Sequence, residues 1–74
     1  MTVLELCSFV KNSKYQEVII ADYNSGDKEI VFKDSAYNAI LSSYADWEVR
    51  DFIPALYDSI PILYIHAVER ESEK

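Results

Sequence analysis

Cys7 and His66 are the only cysteine and the only histidine in this chain of 74 residues. A thiolate activated by a neighbouring imidazole is one route to nucleophilic catalysis. Cys7, however, lies on the apolar stripe of a predicted helix, where a free cysteine behaves as a small hydrophobic residue. His66 has the opposite strand parity from the predicted core, so a sheet would separate the two side chains. We therefore predict no enzyme, no catalytic residue and no cofactor.

Metal binding has little support in the sequence. Zinc needs several Cys or His ligands at set spacing, and calcium needs a loop dense in oxygen ligands. Residues 22–27 supply oxygens but lack the terminal Glu of the EF-hand spacing, so we interpret them as a hairpin turn. We predict no metal site.

The carboxylates near Trp47 are a further candidate. Paired carboxylates can act as acid and base in glycoside hydrolysis, but a chain this small rarely builds a substrate cleft. Carboxylates around an aromatic anchor fit a protein-binding patch better, because Trp and Tyr dominate interface energetics. The acidic residues concerned are Asp46, Glu48, Asp51 and Asp58.

Composition limits the other classes of function. Thirteen acidic residues against seven basic ones give a net charge of -6, which disfavours direct binding to a phosphate backbone. An acidic face that engages a basic partner stays open. The single cysteine excludes an intramolecular disulfide, and Glu5 interrupts any apolar leader. No stretch is long enough to span a bilayer. We expect one cytoplasmic domain over residues 1–74.

The first half of the chain predicts a helix followed by two strands. Thr2 and Glu5 fit a capping box, and the helical stripe that follows is Val3, Leu6, Cys7 and Val10. Asn12 and Ser13 are predicted to end this helix. Residues 15–23 and 29–33 read as strands joined by a turn at residues 24–27, where Gly26 is available for a positive φ.

The second half repeats the order. Asp34 or Ser35 can cap a helix that ends at residues 44–46, and its stripe is Tyr37, Ile40, Leu41 and Tyr44. Residues 47–53 alternate as a half-exposed strand, which Pro54 is predicted to stop. Residues 55–60 read as a loop with its tightest point at Asp58 and Ser59. Pro61 opens the last strand, residues 62–68, and residues 71–74 are predicted to be a solvated tail.

The order αββαββ predicts an α+β fold: a four-stranded, mostly antiparallel sheet with strand order 2-1-4-3 and two helices packed on one face. Strand parity divides the side chains into two sets. The predicted core face carries Val18, Ile20, Ile30, Phe32, Val49, Leu63, Ile65 and Ala67. The opposite face is predicted to carry Ile19, Tyr23, Val31, Arg50, Phe52, Tyr64, His66 and Val68.

Several segments resemble a group of small uncharacterised proteins encoded by phages and integrative elements of low-GC Gram-positive bacteria. The resemblance rests on the N-terminal helix, a Val-Ile-Ile strand that closes on an acidic residue, residues 44–49 (Tyr-Ala-Asp-Trp-Glu-Val) and residues 63–65 (Leu-Tyr-Ile). The chain departs from the group in a longer, proline-flanked loop between the last two strands. The resemblance implies a mobile-element context and no catalytic activity.

The sequence thus predicts a small acidic, non-enzymatic protein-binding module that docks on a host or element protein. In one version it inhibits a nucleic-acid enzyme, with carboxylates in place of phosphates. The alternative is a homodimer closed by the exposed aromatic sheet face. No membrane contact is predicted. The predicted interaction residues are Tyr23, Trp47, Arg50, Phe52, Tyr64 and His66.

Overall fold

A computed structural model describes residues 1–69 of the chain, so the predicted tail at residues 71–74 lies outside the described residues. The elements follow the predicted order αββαββ. Their bounds are α1 Val3–Ser8, β1 Glu17–Asp22, β2 Ile30–Ser35, α2 Ala36–Ile40, β3 Glu48–Tyr57 and β4 Ile60–Val68.

The four strands form one mixed sheet in the order β2-β1-β4-β3, which confirms the predicted α+β class and strand order. β1 pairs antiparallel with β2 and parallel with β4, while β3 pairs antiparallel with β4. The two apolar strands, β1 and β4, are central because each must bury both of its faces.

The core is a cluster between the helices and alternate residues of the central strands. Its buried members are Val3, Leu6, Cys7, Val18, Ile20, Ala36, Ala39, Ile65 and Ala67. Val49, Leu63 and Phe32 pack against it, so the predicted core face is confirmed at these strand positions. We call this side of the sheet the core face and the other side the outer face.

The first helix starts where the sequence predicts and ends earlier than predicted. Thr2 Oγ1 accepts a hydrogen bond from the Glu5 amide, and the Glu5 carboxylate accepts one from the Thr2 amide, which completes the capping box. The helix ends at Ser8 with Phe9 as its C-cap, so the prediction that it runs to Asn12 was wrong.

The second helix is shorter than its apolar stripe suggested. Ser35 caps it, and it ends after five residues, so the predicted end at residues 44–46 was wrong. Two members of the predicted stripe, Tyr37 and Leu41, are exposed, and the buried residues are Ala36 and Ala39. Small side chains let this helix pack closely on the core.

A bulge in β2 explains why two of its residues lie on the opposite side of the sheet from the side predicted. Ile20 pairs with Phe32 and Ala21 pairs with Ile30, so Val31 is the extra residue. A bulge turns neighbouring side chains toward the same side, and both Val31 and Phe32 pack against the core. Ile30 shares the outer face with Ala21 and is 42% exposed. The predicted core position of Ile30 and outer position of Val31 were therefore wrong.

A second bulge, in β3, reverses parity along the rest of that strand. Val49 pairs with Ala67 and Asp51 pairs with His66, which leaves Arg50 as the extra residue. Beyond the bulge, Phe52 pairs with Ile65 and therefore lies on the core face. The prediction that Phe52 belongs to the outer face was wrong, and Ile53, opposite Tyr64, takes that place.

β3 also continues through Pro54 to Tyr57, so the predicted stop at Pro54 and the predicted loop at residues 55–60 were wrong. Pro54 is tolerated because β3 is an edge strand, where a nitrogen without hydrogen can point away from the ladder. The predicted tight point is confirmed: Asp58 and Ser59, with φ of 51° and 66°, form a two-residue hairpin turn. Both positive φ values fit a type I′ turn.

The turn after β1 uses a different residue from the one predicted. Gly26 has no positive φ, whereas Lys28 has a φ of 52°. The Lys28 side chain folds back, and its Nζ donates to the Tyr23 carbonyl oxygen at 3.1 Å. The predicted role of Gly26 was therefore wrong, although the turn itself is where the sequence placed it.

Candidate interaction surface

Four of the six predicted interaction residues lie together at one end of the outer face. They are Tyr23, Arg50, Tyr64 and His66. Their side chains are in contact with one another. The ring centre of His66 lies 5.3 Å from that of Tyr64 and 6.4 Å from that of Tyr23. The Arg50 guanidinium lies 5.8 Å from the Tyr23 ring centre. We call these four residues the aromatic cluster.

The structure separates Phe52 and Trp47 from this cluster. Phe52 lies on the core face, as described above. Trp47 packs against the core with its ring 5.0 Å from the Tyr44 ring. The Trp47 backbone also accepts a hydrogen bond from the Val3 amide at 2.9 Å, which ties α1 to the start of β3. Trp47 therefore has a packing role in this fold.

Asp51, which the sequence placed in a carboxylate patch around Trp47, lies instead beside the aromatic cluster. Its Oδ1 lies 2.6 Å from His66 Nδ1, and the Asp51 side chain is more exposed than that of His66. Simple alternation places Asp51 on the face opposite to Arg50 and Phe52. The bulge at Arg50 brings Asp51 opposite His66, and nothing in the sequence pattern marks that bulge.

Lys28 also contacts the aromatic cluster, and the sequence did not predict it as an interaction residue. Its Nζ lies 4.8 Å from the Tyr23 ring centre, so the ring contacts Lys28 as well as the Arg50 guanidinium. Cations held over an aromatic face gain about 0.5–1 kcal/mol at exposed sites. The cluster therefore presents aromatic rings with two cations, Lys28 and Arg50, over Tyr23 and one carboxylate, Asp51, beside His66.

The outer face continues from the cluster along the β3–β4 hairpin. Ile53 is 58% exposed, Ile60 is 50% exposed, and both have outer-face register with Tyr64. Tyr57 has the same register, and Lys33 Nζ lies 5.4 Å from its ring centre. Lys33 is on β2, at the opposite edge of the sheet, so this contact crosses the outer face.

The middle of the outer face is covered by its own neighbours. Ile19 and Ala21 have outer-face register beside Tyr64 and His66 and are fully buried. Ile62 is almost as inaccessible. The half-buried Tyr64 and His66 side chains thus form a lid on an inner apolar layer, and the exposed apolar area lies toward the hairpin end.

The geometry separates the candidate catalytic pair. Cys7 is buried in the core cluster, whereas His66 pairs with Asp51 on the outer face, so the sheet lies between them. Burial raises the pKa of the Cys7 thiol to about 11, which keeps it protonated near neutral pH. A protonated, inaccessible thiol is a poor nucleophile.

Asp58 lies far along the chain from the other candidate carboxylates, which are within six residues of one another. Asp51 and Asp58 are seven residues apart along one strand and its turn, which is about 23 Å at 3.3 Å per residue. Glu48 Oε2 forms an ion pair with the N-terminal ammonium at 2.7 Å. In the segment considered as a calcium loop, residues 22–27, Asp22 Oδ1 accepts a hydrogen bond from the Asn24 amide and so shapes the turn. Within residues 1–69, no group of three or more His, Cys, Asp or Glu side chains is arranged to hold a metal ion.

Two of the surface cavities formed by the described residues lie away from the aromatic cluster. One, of about 280 Å³, lies where Val10 approaches Pro54, Pro61 and Leu63. The other, of about 260 Å³, lies between the start of α1 and Ala45 and Asp46.

No family model, curated protein or solved structure matches this chain. Among the described residues, none of the helices has the length and apolar character needed to cross a bilayer.

Proposed function

We propose that this protein is a non-enzymatic binding module that docks on a protein partner through its outer face. The observation that carries the proposal is the continuous row of aromatic and aliphatic side chains from the aromatic cluster to the hairpin end. The row consists of Tyr23, His66, Tyr64, Ile53, Tyr57 and Ile60. Apolar patches rimmed by charge are the usual mark of association surfaces.

The chemistry of the row suits a protein partner. Tyr and His side chains offer apolar area at low cost in conformational entropy, together with polar tips that can donate or accept hydrogen bonds. The contacts of His66 with Asp51 and of Tyr23 with Arg50 restrain these side chains before any partner arrives. Restraint of this kind lowers the entropic cost of association.

The charged residues around the row, which we call the rim, indicate what kind of partner surface would be complementary. Lys28, Lys33 and Arg50 each lie over an aromatic ring of the outer face. Glu17 pairs with Lys33 and Asp51 lies beside His66, so the rim carries both signs of charge and suits a partner surface that also carries both. It gives no support to the version in which the outer face presents carboxylates in place of phosphates.

A homodimer closed by the outer face is the alternative. In a two-fold dimer the same patch meets itself, so a cation of one copy can meet a carboxylate of the other. Sedimentation of the purified protein separates this alternative from a different protein on the outer face. The mobile-element context is part of the proposal only through the resemblance carried by residues 44–49 and 63–65.

The test compares two double variants in affinity capture followed by titration calorimetry with the purified partner. Ile53→Ser with Tyr64→Ser removes two members of the row. Tyr37→Ser with Leu41→Ser is the matched control, because it removes an exposed tyrosine and an exposed aliphatic residue at α2. We expect the first pair to abolish binding and the control to retain it.

Binding that survives in the Ile53/Tyr64 variant, with its fold intact by circular dichroism, would refute the outer face as the docking surface. Equal loss in both double variants would also refute it, since the loss would then be unrelated to the row.

A further inference from the structure

The pair formed by Asp51 and His66 determines which nitrogen of the only imidazole in the chain can meet a partner. His66 Nδ1 lies 2.6 Å from Asp51 Oδ1, because the bulge at Arg50 places Asp51 opposite His66 in the pairing of β3 with β4. An aspartate carboxylate is ionised at neutral pH and only accepts hydrogen bonds. The proton in this contact is therefore carried by His66 Nδ1.

The other ring nitrogen, His66 Nε2, is then bare whenever the imidazole is neutral, since a neutral imidazole has one N–H donor and one acceptor nitrogen. Among the buried and half-buried residues of 1–69, no inaccessible side-chain nitrogen or oxygen lacks a hydrogen-bond partner. The hydrogen bond of the half-buried His66 side chain to those residues is the one at Nδ1. His66 Nε2 is therefore open to solvent, as an acceptor on the outer face.

Two tyrosine rings restrain the imidazole in this orientation. Tyr64 and Tyr23 both meet the His66 ring edge-on, with ring centres 5.3 Å and 6.4 Å away. A flip of the imidazole about its Cβ–Cγ bond would put a carbon in place of Nδ1 beside Asp51 and lose the hydrogen bond. The position of the bare Nε2 is thus fixed before any partner arrives, which lowers the entropic cost of using it.

We propose that Asp51 is a positioning residue that keeps His66 in the Nδ1–H tautomer, and that His66 Nε2 accepts a hydrogen bond from a neutral N–H of the protein that docks on the outer face. The proposal rests on the proposed function and names one polar contact within it. A peptide or side-chain amide N–H is the matching group, because a bare nitrogen can only accept. A cationic donor is disfavoured, since Lys28 and Arg50 already lie over Tyr23, the neighbour of His66.

The same contact makes docking sensitive to pH. Histidine is the side chain that ordinarily changes charge between about pH 5 and 8. Protonation turns Nε2 into a donor while Nδ1 keeps its bond to Asp51, so the N–H of the partner would then face a second N–H. The other titratable or charged groups around His66 are of types that ordinarily titrate outside this range. They are Tyr23 after β1, Arg50 and Asp51 on β3, Tyr64 on β4, and Lys28 over Tyr23.

Long-range proton–nitrogen NMR correlations of the isotope-labelled full chain report the tautomer directly. At about pH 8, we expect the proton on Nδ1 in the parent protein and a mixture of both tautomers in Asp51→Ala. Asp58→Asn is the matched control, because it also removes one carboxylate from the β3–β4 hairpin and Asn tolerates the positive φ of this position. The control should keep the Nδ1–H tautomer.

Diethyl pyrocarbonate tests whether Nε2 is accessible, because this reagent acylates unprotonated imidazole nitrogens and His66 is the only imidazole. Peptide mass spectrometry locates the adduct. We expect the native protein to react at His66 at about pH 8, and roughly tenfold or more slowly at about pH 5, where imidazoles are protonated. Protein unfolded in urea gives the rate for a fully exposed imidazole.

Titration calorimetry with the partner captured through the outer face tests the donor. Binding should be about tenfold weaker at about pH 5.5 than at about pH 8, the scale of one hydrogen bond replaced by two opposed donors. The Asp58→Asn control should show the same pH dependence as the parent. Binding that is equal or tighter at the acid pH would overturn the proposal.

Three results that need no partner would also overturn it. They are a proton on Nε2 in the neutral parent protein, an unchanged tautomer in Asp51→Ala, and a His66 that reacts with diethyl pyrocarbonate only after unfolding. These outcomes distinguish failure of this proposal from failure of the proposed function, which the Ile53 and Tyr64 double variant tests.

Discussion

Ile65→Ala should destabilise the fold far more than Tyr64→Ala, although the two residues are adjacent in β4. Ile65 is fully buried in the core cluster, between Ile20 of β1 and Phe52 of β3. Truncating a buried Ile costs about 2–5 kcal/mol, and the cost rises where surrounding elements cannot collapse into the space. A value of about 3 kcal/mol is reasonable here, because strands flank Ile65 on both sides.

Tyr64 has outer-face register and is half-buried. Its removal loses the ring contact with His66 and part of the cover over Ile19, its β1 neighbour. We expect a cost of about 1 kcal/mol, the scale of one aromatic contact with modest burial. The Tyr64 phenol is only half-buried, so its removal leaves no large cavity that would add to the free-energy cost.

The difference is large relative to the whole stability. At roughly 0.05–0.15 kcal/mol per residue, a chain of 74 residues has about 4–11 kcal/mol in total. With a guanidinium m-value of about 2 kcal/mol/M, Ile65→Ala should lower the denaturation midpoint by about 1.5 M and Tyr64→Ala by about 0.5 M.

Phe9→Ala is the control for nonspecific effects, because Phe9 is 79% exposed. It should change the free energy of unfolding by no more than about 0.5 kcal/mol. Equal midpoint shifts for Ile65→Ala and Tyr64→Ala would contradict the register on which both sheet faces are defined.

Four further predictions follow from single features. Cys7 in the native protein should resist iodoacetamide at pH 8 and react after unfolding, as followed by mass spectrometry; fast native alkylation would contradict its burial and raised pKa. Thr2→Ala should cost about 1 kcal/mol, measured as a lower melting temperature, because it removes the capping hydrogen bond. Ser59→Gly should stabilise by about 0.5–1 kcal/mol in the same assay, because the left-handed φ of Ser59 costs an L-residue about 1–2 kcal/mol and the extra backbone entropy of glycine offsets only about 0.5–1 kcal/mol of that gain; a loss of stability would contradict the turn geometry. A mobility-shift assay should show no duplex DNA binding at physiological salt, because acidic residues outnumber basic ones thirteen to seven.

The central strands were predictable because their alternation is uninterrupted. Val18 and Ile20 on β1, and Ile65 and Ala67 on β4, are core members on the parity that the sequence assigned. A period of two is a property of the extended backbone itself, so side chains reveal their face wherever the strand has no extra residue. The capping box of Thr2 and Glu5 was equally local and equally predictable.

The edge strands were not predictable in the same way. Bulges at Val31 and Arg50 shift the register, which moves Ile30 and Phe52 to unexpected faces and brings Asp51 to His66. Nothing in the residue types marks these two positions, because a bulge depends on how the paired strands twist together. The composition of the aromatic cluster is thus decided by pairing across the sheet.

Pro54 shows the same division between sequence and tertiary structure. The sequence establishes that this residue cannot donate a backbone hydrogen bond, and a strand interior would not tolerate that. Only the strand order establishes that β3 is at the edge, where the missing donor faces away from β4. Local chemistry therefore determined the order of the elements, the two apolar central strands and the acidic charge. The bulges, the edge position of β3 and the exposed end of the β3–β4 hairpin depend on contacts between residues distant in sequence, which no local pattern encodes.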